Sequence, residues 1–349
     1  MARVKRFLDT DVLTAAKERI RHIFDTHDTI AVCFSGGKDS LATLHLTKEV
    51  AEEAGALPLN VVFRDEELIP DPVIEFVNSY RLLPWVKMLY FAVPLASTKF
   101  ILGRAVEYIQ WDPNRKHLRP IPEHAITLPE GDKRIFDQYS MDAFIASWYK
   151  GKIAFLTGIR AAESLMRYRA SVNKLNESYI NASGTPNVSL CKPLYDWQEN
   201  DVFRFFYERG IRYCPLYDAQ HLAGASLRVS TPLHAESAKH LHRLPAIAPI
   251  FYDQVMQLFP EMQVQARYWQ ELDKDALKER YGQSYDGVRA YILEHIQDES
   301  QQRKALTHFE KVLIRARNRP EGYPPAYVLT WIMTGAFKRE LLPLRSKGA

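Results

Sequence analysis

The sequence predicts an α/β domain, a parallel sheet with helices on both faces, joined to a helical C-terminal domain. Three observations predict it. Short, β-branched and almost wholly apolar runs recur between residues 28 and 160 with amphipathic stretches between them, the pattern of strands buried on both faces. A glycine-rich turn, SGGKDS, joins the first of these runs to a helical stretch. From about Ala235 onward the apolar spacing becomes three to four residues and strand-like runs stop.

Taken in order, residues 1–27 form a leading helix. Val12, Leu13, Ala16, Ile20, Ile23 and Phe24 lie at helical spacing behind an Asp11 cap. TIAVCF is the first strand, and LATLHLTKEVAEEAG the helix that ends at Gly55. LNVVF is a second strand, DPVIEFVNSYRLL a helix with Asp71 as cap and Pro72 at its first position, and MLYFAV a third strand. IAFLTG makes a fourth, after the amphipathic SMDAFIASWYKG. Residues 94–140 are an insertion, read as loop-rich and substrate-facing because WDPNRKHLRPIPEH carries prolines and no periodicity. DWQENDVFRFFYERG is a helix begun at Asp196, with Glu199 completing a capping box, and ended by Gly210. The expected division is thus 1–27, an α/β domain over 28–220, and a helical domain over 221–349 that ends in a basic tail.

Composition narrows the classes. Of 349 residues, 46% are hydrophobic and 25% charged, so collagenous, coiled-coil and disordered chains are excluded. No apolar run approaches the ~20 residues of a membrane span, and the N-terminus lacks a signal-peptide core. The expectation is a soluble, cytoplasmic protein with no membrane partner. Cys33, Cys191 and Cys214 are scattered and form no CxxC, which argues against an iron–sulfur cluster or a cysteine zinc site. Net charge is +4, yet residues 301–349 alone carry +7 and the remainder −3. That segment reads either as a solvated helix face or as a surface for nucleic acid or another polyanion.

The chemistry lies beyond the carboxyl ends of the strands, where ligands of such sheets bind. In Ser35-Gly36-Gly37-Lys38-Asp39-Ser40, two side-chain-free residues let backbone N–H groups converge on an anion at a helix N-terminus. Lys38 adds a point charge, and the Ser35 and Ser40 hydroxyls can donate to phosphate oxygens. GxxxxGK[ST] is absent, so the loop is not that of kinases and GTPases. After the fourth strand, Gly158 allows close backbone approach, Arg160 and Arg167 are guanidinium donors for phosphate or sulfate, and Glu163 orients them. Asp65, with Glu66 and Glu67, ends the second strand and is open to two readings: a ligand for a ribose hydroxyl or Mg²⁺, or a solvated acidic turn. His234, His240 and His242 do not share one helical face, which favours a surface or substrate-cleft role over a metal site. Cys191 and Cys214 sit among apolar residues, as inert core thiols do.

SGGKDS resembles the PP-loop of the ATP pyrophosphatases, and the nearest branch is the phosphoadenosine phosphosulfate reductase-like proteins. Gly158-Ile159-Arg160-Ala161-Ala162-Glu163-Ser164 followed by Arg167 is similar to that family's G-[IL]-R-x-x-[EQ]-S-x-x-R, and KPLYDWQENDVF resembles its P-[LI]-x-x-W-x-x-x-D-V segment. The likeness covers roughly residues 28–220. It implies an adenine nucleotide α-hydrolase-like fold and binding of ATP, or of phosphoadenosine phosphosulfate, with Mg²⁺. The candidate catalytic residues are then Lys38, Asp39 and Arg160; these three together with Ser35, Gly36, Gly37, Ser40, Asp65, Gly158, Glu163, Ser164 and Arg167 are the candidate nucleotide-binding residues, and Asp39 and Asp65 the candidate magnesium ligands. LPWVKMLYFAVPLAS and YDAQHLAGASLRVSTPL look like the prophage-associated immunoglobulin-binding regulator A co-activators, which implies a ParB-like partner protein. One departure matters. The reductases carry a nucleophilic cysteine in a C-terminal E-C-G-x-H motif, and here no cysteine follows Cys214. The expected function is therefore Mg-dependent cleavage of ATP between its α and β phosphates with adenylyl transfer. A nucleotide-sensing or DNA-associated module is the alternative, and a reductase using Cys191 or Cys214 comes third.

Overall fold

The apolar runs pair into one six-stranded sheet. A computed structural model describes residues 8–102, 104–164, 167–168, 171–173, 176–268, 274–296, 298–335 and 340–344. Its first part runs α1 (Val12–Thr26), β1 (Thr29–Cys33), α2 (Lys38–Glu53), β2 (Leu59–Arg64), α3 (Asp71–Arg81) and β3 (Val86–Phe91). Then come β4 (Leu95–Ile101), β5 (Arg104–Gln110), α4 (Gln138–Ala146) and β6 (Ile153–Leu156). The short strands β7 (Val172–Asn173), β8 (Asn176–Glu177), β9 (Ile180–Ala182) and β10 (Val188–Cys191) precede α5 (Glu199–Arg209), α6 (Leu216–Leu222) and α7 (Pro249–Leu258). The large sheet has the order β3-β2-β1-β6-β10-β9, and its neighbours are parallel except the edge strand β9, which runs antiparallel to β10.

Strand alternation divides the core between two faces. Val32, Val61, Phe63, Ala154 and Leu156 face a core shared with residues of α1, α2, α3 and α5. Ala31, Val62, Phe91 and Phe155 face a second core closed by Met141 and Ile145 of α4. Both faces are covered, which is why the strands are apolar throughout rather than alternating. The first crossovers carry the chain from β1 outward to β3, and β6 then lies on the other side of β1, with Val32 opposite Val61 and Leu156. The order therefore reverses between β1 and β6, the switch point where such sheets open a crevice.

Several boundaries move. Asp11 caps α1 as expected, accepting from Leu13 N at 2.9 Å and Thr14 N at 3.0 Å. Asp71 is the first residue of α3, and Pro70 stands at the cap. The α5 helix begins at Glu199 with Gln198 as cap, because Asp201 accepts the Gln198 N–H at 2.7 Å; Asp196 instead pairs with Arg19 at 2.7 Å. The 94–140 insertion is less loop-like than expected: β4 and β5 form a hairpin sheet and Gln138 opens α4.

Two compact units divide at Met262 instead of 220. Val229 joins the first core and Leu227 and Ile247 pack against it, so the stretch after α6 belongs to the α/β unit. The second unit, 101–104 with 263–349, is helical: α8 (Met262–Tyr268) opens at the boundary, then α9 (Lys274–Tyr281), α10 (Tyr285–His295), α11 (Glu299–Asn318) and α12 (Pro325–Ile332). It has its own core of Tyr281, Val288, Ile292, Phe309, Val312 and Leu329. Of the basic tail, Lys338, Arg339, Arg345 and Lys347 lie outside the described residues, while Arg315 pairs with Glu340 at 2.6 Å. Among the described residues no helix is long and apolar enough to cross a membrane.

One histidine makes this core sensitive to acid. His45 on α2 has its Nε2 2.8 Å from the Tyr80 hydroxyl and sits edge-on to the rings of Tyr80 and Trp85. Burial pushes its pKa down from 6.5 to about 4. Between those values the unfolded chain takes up a proton that the folded one refuses, so this contribution to stability is complete above 6.5 and is lost as pH falls toward 4. Urea midpoints of the wild type should fall across that window more steeply than those of His45→Gln. Parallel curves would mean that His45 is not the titrating group.

Candidate anion site at the switch point

The SGGKDS loop leaves β1 at Cys33 and becomes α2 at Lys38, with Gly37 in extended conformation as its cap. Gly36 adopts φ +75°, and a Cβ there would sit 2.9 Å from Val73 Cγ1, so both its conformation and its packing against α3 call for glycine. Ser40 holds the turn shut: its hydroxyl accepts from Ser35 N at 3.1 Å and donates to Gly37 O at 2.9 Å. The Ser35 hydroxyl lies 3.0 Å from it. Both serines thus brace the loop that the sequence assigned them to serve as phosphate donors.

Lys38 is buried at 5% exposure, and its ammonium faces three acceptors: Asp39 Oδ2 at 3.4 Å, Glu199 Oε1 at 3.2 Å and Leu227 O at 3.3 Å. Its backbone N–H donates to the Tyr217 hydroxyl at 2.8 Å. Burial pushes the Tyr217 phenol up, so this hydroxyl stays neutral. Asp39 turns its other oxygen to Arg160 Nε at 2.6 Å.

Arg160 comes from the turn after β6, and the two turns touch through Gly158. A Cβ on Gly158 would lie 2.5 Å from Asp39 O and 2.6 Å from Ser40 N, both backbone atoms. Glu163 accepts from Arg160 N at 3.4 Å and pairs with Arg167, the orienting role expected of it. Burial, together with Arg228 and Arg160 nearby, holds the Arg167 guanidinium below its usual range against the pull of Asp39. Ser164 accepts the Arg167 N–H at 3.2 Å, which makes it a brace for that turn. Lys38, Asp39, Arg160, Glu163 and Arg167 therefore meet at one place.

Asp65 does not join them as a free ligand, and its assignment to magnesium or ribose is corrected. Its carboxylate is fully buried and is used by Arg119 at 2.5 Å, the Tyr90 hydroxyl at 2.5 Å and the Glu67 N–H at 2.8 Å. Glu67, with φ +61°, is likewise taken by Arg115 at 2.5 Å, Trp111 N at 2.6 Å and Leu118 N at 3.1 Å. The acidic turn is an anchor for the insertion rather than a solvated loop. Cys191 and Cys214 are both wholly buried, and burial pushes the Cys191 thiol up to about 12. A thiolate there is disfavoured at neutral pH, which removes support from the reductase reading. Among the described residues no three His, Cys, Asp or Glu side chains converge as a metal site would need.

Sequence reasoning missed Tyr217, Glu199, Leu227 and Arg228. Glu199 was read as a helix-capping residue, yet it faces Lys38. Tyr217 and Leu227 lie 179 and 189 residues from the lysine they touch, Arg228 follows directly after Leu227, and no local pattern marks any of them.

Residues 142–262 match the family model described as the phosphoadenosine phosphosulfate reductase domain. With the SGGKDS loop and the parallel sheet already described, that match makes the chain similar over this stretch to the phosphoadenosine phosphosulfate reductase-like proteins. It is 31% identical over 261 residues to the uncharacterized protein YbdN of Escherichia coli (strain K12), an alignment that covers 69% of this chain and 64% of that protein, under two thirds of its length. Among solved structures it is similar to the Candida glabrata FMN adenylyltransferase in complex with FMN and an ATP analogue, at 14% identity and a TM-score of 0.41 over 65% of this chain and 66% of that one. It is also similar to the Candida auris phosphoadenylyl-sulfate reductase in its phosphate complex, at 12% identity and a TM-score of 0.36 over 62% and 90%.

The contact at Gly158 generates a test. In Gly158→Ala the new methyl group meets backbone on both sides, so the start of α2 must shift; a loss of about 2 kcal/mol is expected from overpacking of this kind. Calorimetric unfolding should show a lowered Tm, and the variant should lose anion binding at the loop. An unchanged Tm would mean the two turns have room to separate.

Proposed function

We propose that the chain binds ATP at the SGGKDS loop, cleaves it between the α and β phosphates and transfers the adenylyl group to an acceptor, sulfate or a sulfur-accepting group on nucleic acid. One observation carries this reading: a buried lysine at the first turn of a helix shares its carboxylate, Asp39, with a buried arginine from the neighbouring strand end. Such a pair is stationed for a polyphosphate. The acceptor attacks the α phosphorus, the bond to the bridging oxygen breaks, and pyrophosphate leaves with that electron pair. Lys38, Arg160 and the N-terminal N–H groups of α2 offset the charge that builds on it, the largest contribution such an arrangement can make to the rate.

Magnesium fits this donor set only as the counter-ion of the nucleotide. Asp39 is the one carboxylate of the two assigned to it that lies at the loop, and its oxygens already face Arg160 and Lys38. Mg²⁺ is commonly held by one or two carboxylates together with substrate phosphates, so it would arrive with the nucleotide, Asp39 would be the carboxylate to hold it, and its charge would help offset that of the leaving pyrophosphate.

Titration of the full chain with MgATP, and in parallel with phosphoadenosine phosphosulfate, should give binding that Lys38→Ala weakens roughly 100-fold, as loss of a buried charge-assisted contact would. Labelled ATP should yield pyrophosphate together with AMP or an AMP ester. Release of ADP and orthophosphate would overturn α–β cleavage. Lys38-dependent binding without any turnover would replace the enzyme with a nucleotide-sensing module.

A further inference from the structure

The anion site has a wall that the motifs do not describe, and the inference drawn from it rests on the nucleotide-binding reading above. Tyr217 of α6 accepts the Lys38 N–H, Leu227 O accepts the Lys38 ammonium, and Val229 Cγ2 sits 3.0 Å from where a Cβ on Gly37 would be. Arg228 lies between two residues that touch the loop. Its backbone is fixed from both sides by one amide: Gln220 Oε1 accepts from Arg228 N at 2.9 Å and Gln220 Nε2 donates to Arg228 O at 2.5 Å. Gln220 is itself buried at 8% exposure, so the clasp is shielded from competing water.

The charges around the loop do not balance. Arg160 has Asp39, Arg167 has Glu163 and Lys38 has Glu199. Arg228 is exposed, and among the described residues its guanidinium has no hydrogen-bond or ion-pair partner. It nevertheless lies within electrostatic reach of Arg167, whose ionisation it opposes. Arg228 therefore adds a positive charge beside Arg167 that no carboxylate among the described residues offsets, which favours an anion there, and the Gln220 clasp fixes the backbone from which its side chain reaches.

We propose that Arg228, positioned by Gln220, is a fourth anion-binding residue of this site and takes phosphate oxygens of the bound nucleotide beside Arg167. A planar guanidinium suits that role because it can engage two oxygens of one group at once. Gln220 acts through Arg228 and is a positioning residue.

The experiment is calorimetric titration of the full chain with inorganic pyrophosphate and with MgATP at low and high salt. Arg228→Gln should weaken pyrophosphate binding roughly tenfold and make what remains less salt-dependent, with an unchanged Tm. Arg228→Lys should restore part of the affinity through its charge. Gln220→Ala should weaken binding with every charge intact. If Arg228→Gln binds both probes as the wild type does while Lys38→Ala does not, the role of Arg228 is overturned and the nucleotide reading stands. If the wild type binds neither probe, both fall together.

Discussion

The ion pair between Asp39 and Arg160, at 2.6 Å, is the constraint on which the site depends. It joins the turn after β1 to the turn after β6, the two strands between which the sheet order reverses, and it does so where Gly158 brings the two backbones into contact. Arg160 is buried at 5% exposure, so a charge stands there only because Asp39 compensates it. Removing either partner of a buried pair costs far more than the pair is worth, typically ~3–5 kcal/mol, because the remaining charge stays in low dielectric without a counter-ion. The same geometry leaves Lys38 on the other oxygen of Asp39, so one carboxylate sets the position of both cations.

The acidic turn after β2 solves a different problem. An insertion of more than forty residues needs anchoring, and Asp65 and Glu67 do this by accepting from Arg119, Arg115 and three backbone N–H groups. Both carboxylates are buried and multiply hydrogen-bonded, which makes them acceptable in the interior. Glu67 holds a left-handed backbone that a non-glycine residue adopts only at a cost of ~1–3 kcal/mol, and the network around it is what sustains the conformation.

The legible part of the molecule was the part written locally. Parallel strands buried on both faces are short apolar runs, a phosphate-type turn needs adjacent glycines, and Gly210 ends α5 because the chain turns left-handed there, at φ +61°. The family motifs carried Lys38, Asp39, Arg160, Glu163 and Arg167 to one place. What was not legible is carried by pairs far apart in the chain: Lys38 to Tyr217 and Leu227, Asp65 to Arg119, Arg19 to Asp196. A carboxylate at a strand end looks the same in sequence whether it awaits a metal or an arginine fifty residues away. Asp65 was misread for that reason, and the domain boundary at 220 for a related one: the stretch through Val229 has no strong periodicity, yet it buries against the first core.

The structure also changes how binding at this loop is to be understood. Lys38 is not a bare charge awaiting phosphate, since its ammonium already faces Asp39, Glu199 and Leu227 O, and its N–H already serves Tyr217. On the proposed reading, an entering nucleotide would exchange with these acceptors rather than fill open space. Glu199 is the natural one to leave: it is half exposed, so water can solvate it once displaced, while Asp39 is held by Arg160 and Leu227 O belongs to the backbone. Exchange of this kind keeps the buried lysine compensated when the site is empty, and it makes affinity depend on the difference between two sets of hydrogen bonds rather than on the sum of one.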